Sequence, residues 1–171
     1  LGSADKAESL LDLKGNNELK DVVLFGDTVP TGATSFEDWL KSGSGTFEVV
    51  ARNRKDLAAI CYTSGTTGHP KGAMHSHHNI VANAQGTAMM HVRTESDVMV
   101  NSLPLPHVYG SVVFNSGFMY GAKLVIVPRF EEEAVMSAIQ EHQATILDGV
   151  PTAYYFLLAH PKFDNYDLST L

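Results

Sequence analysis

The stretch CYTSGTTGHPKGAMHSHHN, residues 61–79, combines hydroxyls, glycines, one proline, one lysine and three closely spaced histidines. Its first three residues end the apolar run LAAICYT, residues 57–63, and this run predicts a buried strand. In sheets of mainly parallel strands, ligands bind at the carboxyl ends of the strands. The segment 63–72 lies at such an end, and it therefore predicts a ligand-binding loop.

The chemistry of this loop suits phosphate. Its glycines let the backbone expose N–H groups, and its hydroxyl side chains add further hydrogen-bond donors. Lys71 contributes a mobile positive charge, and Pro70 stiffens the chain beside it. The loop thus predicts a polyphosphate ligand, with a solvated turn as the alternative. The predicted binding residues are Thr63, Ser64, Gly65, Thr66, Thr67, Gly68, Pro70, Lys71 and Gly72.

Two better-known phosphate motifs do not fit the same residues. The P-loop pattern G-x-x-x-x-G-K-[ST] requires a hydroxyl after its lysine, where this chain has Gly72. The dinucleotide pattern G-x-G-x-x-G fails because two residues separate Gly65 from Gly68 and no third glycine completes it. A P-loop kinase is therefore disfavoured.

Strand and helix patterns alternate along most of the chain, which predicts an α/β fold with a mainly parallel sheet flanked by helices. Residues 1–56 are looser in composition than residues 57–171, and we expect one partial domain. Predicted strands cover 21–25, 57–63, 97–105, 121–128 and 144–150. Predicted helices cover 6–13, 36–40, 79–92, 111–120, 131–143 and 151–160.

Composition excludes several classes of function. The formal net charge is -7, and apart from RNRK at 52–55 the basic residues do not cluster, so no nucleic-acid partner is expected. No apolar run is long enough to cross a bilayer and no secretory signal pattern is present, which favours the cytoplasm. Cys61 is the single cysteine, so an internal disulfide and a multi-cysteine zinc site are excluded. Its apolar setting predicts a buried, inert thiol.

The sequence YTSGTTGHPKG, residues 62–72, resembles the phosphate-binding signature of the adenylate-forming superfamily, which includes acyl-CoA synthetases, aryl-CoA ligases, nonribosomal peptide adenylation domains and beetle luciferases. NSLPLPHVYG, residues 101–110, is similar to a second segment of that superfamily. GAKLVIVPRF and ILDGVPTAYYFLL also stand where relatives carry a strand and the start of a helix. The resemblance covers residues 57–171 well and residues 1–56 loosely.

The resemblance implies ATP-dependent ligation of a small carboxylic acid, of the fatty-acid or aryl-acid type, to CoA through an acyl adenylate. Mg²⁺ would accompany ATP. On this basis Lys71 and His107 are the expected catalytic residues, and His107, Val108 and Tyr109 the expected acid-binding residues. Many relatives have an aromatic residue before the histidine, whereas this chain has Pro106, so the floor of the acid site is expected to differ.

The resemblance also implies that further segments are needed for catalysis. The adenine-binding aromatic, the magnesium-linked glutamate, the ribose-binding aspartate and the lysine of a C-terminal domain do not occur in this sequence. We therefore expect an internal fragment of the N-terminal domain that is inactive alone. The alternatives are an adenylation domain that loads a carrier protein and a noncatalytic nucleotide-binding module. The metal ligands and the oligomeric state are left open.

Other residues have structural and functional interpretations. His75, His77 and His78 suggest a metal site, but no fourth ligand of fitting spacing accompanies them, so helix capping by Ser76 or His77 is favoured. Asp148 and Gly149 stand at the end of a predicted strand. A turn and a ligand contact are equally compatible with that position.

Overall fold

The computed structural model describes residues 1–16, 19–64 and 68–171. Two compact units are present, Leu1–Ala51 and Arg52–Leu171. The boundary between them lies close to the change of composition at residue 56, and the single partial domain inferred from the sequence stays a prediction. Within the described ranges, no helix has both the length and the apolar character needed to cross a membrane.

The first unit is a small parallel sheet with two helices. Its strands β1 (Gly2–Ser3), β2 (Val23–Phe25) and β3 (Thr34–Ser35) lie in that order. Helix α1 (Ala7–Asn16) packs on this sheet through a core that includes Ala7 and Leu24. Helix α2 (Phe36–Lys41) begins at Ser35, whose Oγ accepts a hydrogen bond from the Asp38 N–H. The strand predicted at 21–25 and the helices predicted at 6–13 and 36–40 are confirmed.

The second unit opens with an antiparallel hairpin. Strand β4 (Leu57–Thr63) pairs with β5 (Lys71–Ser76), and helix α3 (His77–Met90) follows directly. The strand predicted at 57–63 is confirmed, but its predicted burial is wrong, since Leu57 is 53% exposed and Tyr62 is 73% exposed. Cys61 is likewise only partly buried. An apolar run indicates a strand but does not show whether other layers cover it.

The rest of the second unit is a parallel sheet with helical crossovers. Its strand order is β7-β6-β8, and both neighbours of the central strand run parallel to it. The bounds are β6 (Val98–Asn101), α4 (Val108–Tyr120), β7 (Lys123–Ile126), α5 (Glu132–His142), β8 (Ile146–Asp148) and α6 (Pro151–Ala159). The predicted α/β class with parallel sheets flanked by helices is thus confirmed.

The core of this unit lies between the parallel sheet and its helices. Fully buried apolar side chains from β6 and α5 form its centre, and they are Val100, Val135, Met136 and Ile139. Pro151 occupies the first turn of α6, as the sequence predicts, because a proline there removes no intrahelical hydrogen bond. On α3, the small side chains of Ala84 and Ala88 are buried.

Candidate active site

The ends of the predicted phosphate loop lie on the hairpin. Thr63 is the last residue of β4 and pairs with Lys71, the first residue of β5. Lys71 and Gly72, predicted as loop, are therefore strand residues, because the antiparallel ladder continues to the Thr63–Lys71 pair. Gly65, Thr66 and Thr67 lie outside the described residues. The fold thus fixes both ends of the loop next to each other at the mouth of a hairpin.

The described residues at this mouth are accessible to a ligand. Thr63, Ser64, Gly68, Pro70 and Lys71 are all exposed. Gly68 has a φ of +84°, a conformation that strains any residue with a Cβ atom. No described residue forms an ion pair or a hydrogen bond with the Lys71 ammonium group. A positive charge at a hairpin mouth can therefore serve an external anion.

The histidines that follow the loop have separate environments. Ser76 caps α3, and its Oγ accepts a hydrogen bond from the Asn79 N–H while Asn79 Oδ1 accepts one from the Ser76 N–H at 3.0 Å. This reciprocal capping confirms Ser76 as the predicted N-cap. His78 lies beside Arg54, with its Nδ1 2.8 Å from Arg54 Nη2. Within the part of the chain that the structure describes, no group of three His, Cys, Asp or Glu side chains could hold a metal ion.

His107 is the N-cap of α4. Its Nδ1 accepts a hydrogen bond from the Tyr109 N–H at 3.2 Å, and its own N–H donates to the carbonyl of Pro104 at 3.0 Å. Because Nδ1 acts as the acceptor, the neutral ring carries its proton on Nε2. The imidazole is exposed. The helix that it caps begins at Val108, three residues before the predicted start at 111, because a histidine can provide the capping acceptor usually supplied by Ser, Thr, Asp or Asn.

A buried ion pair lies behind the start of α4. Arg93 Nη2 donates to both carboxylate oxygens of Asp148, at 2.7 and 2.8 Å, and the two side chains are at most 6% exposed. Arg93 Nη1 also donates to Ser116 Oγ. Asp148 was equally compatible with a turn and a ligand contact from the sequence, and the structure gives it a buried charged partner. Arg93 was not identified from sequence, because no local pattern connects positions 55 residues apart.

Two tyrosines lie close enough to Asp148 to respond to its charge. Burial, followed by the negative charge of Asp148, raises the pKa of Tyr109 above its ordinary value of 10.0. The same two causes raise the pKa of Tyr154, whose hydroxyl donates to the Leu147 carbonyl at 2.8 Å. Tyr109, one of the predicted acid-binding residues, therefore stays neutral to a higher pH than an ordinary tyrosine does.

A cleft of about 400 Å³ lies between the hairpin, α3 and α4. Val108 is the one predicted acid-binding residue that lines it. Partly exposed Cys61 and His75 line the hairpin side, and Asn83 and Asn115 line the helical side. The structure therefore places the hairpin and the start of α4 on a common cleft, while His107 and Tyr109 lie outside its lining.

Residues 2–171 match the family described as AMP-binding enzyme. The chain belongs to this family. A long-chain-fatty-acid–CoA ligase of Bacillus subtilis is 38% identical over 119 residues, which cover 68% of this chain and 21% of the relative. An indoleacetate–CoA ligase of Aromatoleum aromaticum is 34% identical over 90% of this chain and 31% of its own length.

A solved structure of similar fold also matches most of the chain. ATP-bound MatB from Rhodopseudomonas palustris superimposes with a TM-score of 0.81 at 31% identity, covering 94% of this chain and 31% of that protein. The chain thus spans between a fifth and a third of the length of the relatives described here. In this chain of the AMP-binding enzyme family, the regions that the resemblance singled out, the hairpin loop and the start of α4, both belong to the second compact unit.

The proximity of Asp148 to Tyr109 leads to a measurable prediction. Replacing Asp148→Asn removes a negative charge and leaves the positive charge of Arg93, so the Tyr109 pKa should fall towards 10.0. Burial, the larger cause, remains, and some elevation should persist. Carbon NMR of Cζ-labelled tyrosine, assigned with Tyr109→Phe, measures the titration. The exposed Asp164→Asn variant is the control, and an unchanged Tyr109 pKa in Asp148→Asn would contradict the geometry.

Proposed function

We propose that this chain is the phosphate-loop region of an ATP-dependent acid–CoA ligase that acts on a fatty or aryl acid. The observation that carries the proposal is the hairpin mouth, where the paired residues Thr63 and Lys71 hold the ends of a loop rich in amide and hydroxyl donors. Membership of the AMP-binding enzyme family supports it. The curated relatives named above, which include ligases of a fatty acid and of an aryl acid, support the substrate class.

In the proposed first step, an oxygen of the substrate carboxylate attacks the α-phosphorus of ATP. The bond from that phosphorus to the bridging oxygen breaks, and pyrophosphate leaves with the electron pair. The loop donors between Thr63 and Gly72 hold the β- and γ-phosphates, and Lys71 offsets the negative charge that the leaving group gathers. The hairpin contributes by holding the loop ends in place before ATP arrives.

In the proposed second step, the sulfur of CoA attacks the carbonyl carbon of the acyl adenylate and the thiol proton passes to solvent. The bond from that carbon to the phosphate oxygen breaks, and AMP leaves with the electron pair. His107 and Tyr109 act at the acid rather than at the phosphates. The exposed His107 ring, with its proton on Nε2, can donate to a carboxylate oxygen, while the neutral Tyr109 phenol avoids repelling that anion. Val108 lines the neighbouring cleft, where an apolar part of the acid can lie.

Magnesium is proposed as a companion of ATP, neutralising phosphate charge when bound. The exposed hydroxyls of Thr63 and Ser64 are oxygen donors compatible with Mg²⁺, although the described residues supply no carboxylate cluster for it. Among the described residues, the proposed contribution near the metal is therefore the positioning of the phosphates. The carboxylate ligands are expected from other segments of a longer protein.

The proposal is tested in the full-length protein that carries this sequence. Acid-dependent exchange of pyrophosphate into ATP should occur with at least one member of a panel of fatty and aryl acids, and CoA should then yield a thioester. The 171-residue chain alone should form no acyl-CoA, since the expected adenine, ribose and C-terminal lysine contacts are supplied elsewhere. Absence of exchange with every acid contradicts the ligase assignment, and turnover by the chain alone contradicts its inactivity.

A further inference from the structure

Arg93 joins three elements of the second unit at one point. It follows Val92, which has a φ of 52° at the end of α3, and its N–H donates to the Ala88 carbonyl at 2.9 Å. Its guanidinium reaches Ser116 on α4 and Asp148 at the carboxyl end of β8. The end of one helix, the face of another and the end of a strand are thereby connected through a single buried side chain.

The face of α4 that Arg93 holds also carries an acid-site residue. Tyr109, Val113 and Ser116 recur at positions i, i+4 and i+7, so they share one face of the helix. Val113 is fully buried, and Ser116 Oγ donates to the Val113 carbonyl at 2.9 Å while it accepts from Arg93. Fixing Ser116 therefore fixes the rotation of α4 and the side from which Tyr109 projects.

The other partner of Arg93 sets the position of a turn. Asp148 is followed by Gly149, where an added Cβ atom would lie 3.3 Å from Tyr154 Cζ. The next residue, Val150, caps α6, and Pro151 begins that helix. The carboxylate of Asp148 thus anchors the segment from β8 into α6 directly beside Tyr109.

Energetics favour a positioning role for this pair. Removing two charges from water costs more than their attraction returns in many proteins, and apolar replacement of both partners is often neutral or stabilising. A buried pair can instead select one arrangement of its elements. The planar guanidinium group of Arg93 binds both carboxylate oxygens of Asp148 and also Ser116 Oγ. These contacts fix the orientation of the three side chains as well as the distances between them.

We propose that Arg93 is a positioning residue for the acid-binding end of the site: by bridging Asp148 and Ser116, it sets the place of Tyr109 and of the 149–151 turn. This inference rests on the proposed ligase function. Arg93 lies away from the hairpin, where the phosphates are proposed to bind. Its loss should therefore affect the acid and leave ATP recognition unchanged.

Steady-state kinetics of the full-length protein separate this role from simple stabilisation. In Arg93→Met we expect the KM for the acid to rise about tenfold, the KM for ATP to change by less than about twofold, and the melting temperature to fall because Asp148 is left unpaired. Arg93→Lys should lie between Arg93→Met and the wild type in acid KM, since a single ammonium cannot reproduce the fork. Exposed Arg129→Met is the matched control and should leave all three values unchanged.

The double variant Arg93→Met/Asp148→Leu decides between the two roles. It removes both buried charges, so its melting temperature should recover, but its acid KM should stay raised. If acid KM recovers together with stability, or if acid and ATP KM rise by the same factor, the positioning role is wrong.

Hydrogen exchange gives a readout that does not need activity. In the double variant, amides of the first two turns of α4 and of residues 149–153 should exchange faster, while those of the β4–β5 hairpin keep wild-type protection. Unchanged exchange in α4 overturns the positioning role even if the protein activates no acid. Faster exchange without any acid-dependent activity supports the structural link and assigns the failure to the ligase proposal.

Discussion

In the full-length protein, Lys71→Met should lower the kcat/KM of acid-dependent pyrophosphate release by roughly 100- to 1000-fold, the loss typical of removing one preorganised charge-stabilising donor. Lys71 is exposed at the hairpin mouth, paired in register with Thr63. The phosphate oxygens become more negative as pyrophosphate leaves, so a cation at the loop acts more strongly in the transition state than in the bound substrate. The effect should therefore be larger on kcat than on the KM for ATP.

Matched variants separate this role from a general loss of surface charge. Lys123 is also an exposed lysine at the first position of a strand, and Lys123→Met should leave the kinetics unchanged. Lys71→Arg keeps the positive charge but changes its shape, so it should retain more activity than Lys71→Met. If Lys71→Met and Lys123→Met behave alike, the loop does not act on the phosphates through its lysine.

The sequence predicts most of the second unit because the ends of its elements carry local chemical signals. Ser76 opens α3 through reciprocal hydrogen bonds with Asn79, and Pro151 begins α6 where its missing N–H costs nothing. Gly121 ends α4 in the left-handed conformation that glycine adopts without strain. Such signals involve neighbours within a few residues, so they can be identified without knowledge of the fold.

The features that the sequence does not predict depend on distant partners. Strand β5 carries a glycine and polar residues that suggest a loop, and it becomes a strand because β4 pairs with it. Strand β4 is exposed because the other elements of the unit do not cover it. Its apolar composition cannot indicate whether such a covering layer exists. The pairing of Arg93 with Asp148 joins the end of α3 to the end of β8, and it requires the whole parallel sheet to bring them together.

The candidate site shows the same division. The phosphate loop and His107 are predicted from motifs in which neighbouring residues carry the information. The raised pKa of Tyr109 is a product of burial and of the Asp148 charge, both of which arise from tertiary packing. The residues expected to contact the substrate can thus be predicted from local sequence. The residues that hold them in place depend on tertiary packing and cannot.

Gly110→Ala should lower the free energy of unfolding of the chain by about 2 to 3 kcal/mol, because overpacking against a rigid neighbour has costs of this size. Gly110 is buried in the first turn of α4, and an added Cβ atom would lie 2.3 Å from the Pro104 carbonyl oxygen. That neighbour is backbone and cannot rotate away. Urea unfolding monitored by circular dichroism measures the change.

An added methyl group at position 110 should affect the site as well as the stability. Pro104 accepts the hydrogen bond from the His107 N–H at 3.0 Å, and His107 in turn caps the helix to which Gly110 belongs. A methyl group at position 110 must therefore separate the 104–107 segment from α4 and move the imidazole. In the full-length protein we expect Gly110→Ala to raise the KM for the acid more than the KM for ATP.

Gly86→Ala provides a control with the opposite expected sign. Gly86 is exposed within α3, and an added Cβ atom would meet no other atom within 4 Å. Alanine in a helix interior is more stable than glycine by up to about 1 kcal/mol, so this variant should unfold at higher urea concentration. The same chemical change is thus destabilising where the backbone of Pro104 approaches and stabilising where space is open. Equal stability of the two variants would show that the Pro104 carbonyl does not lie as close to position 110 as the structure places it.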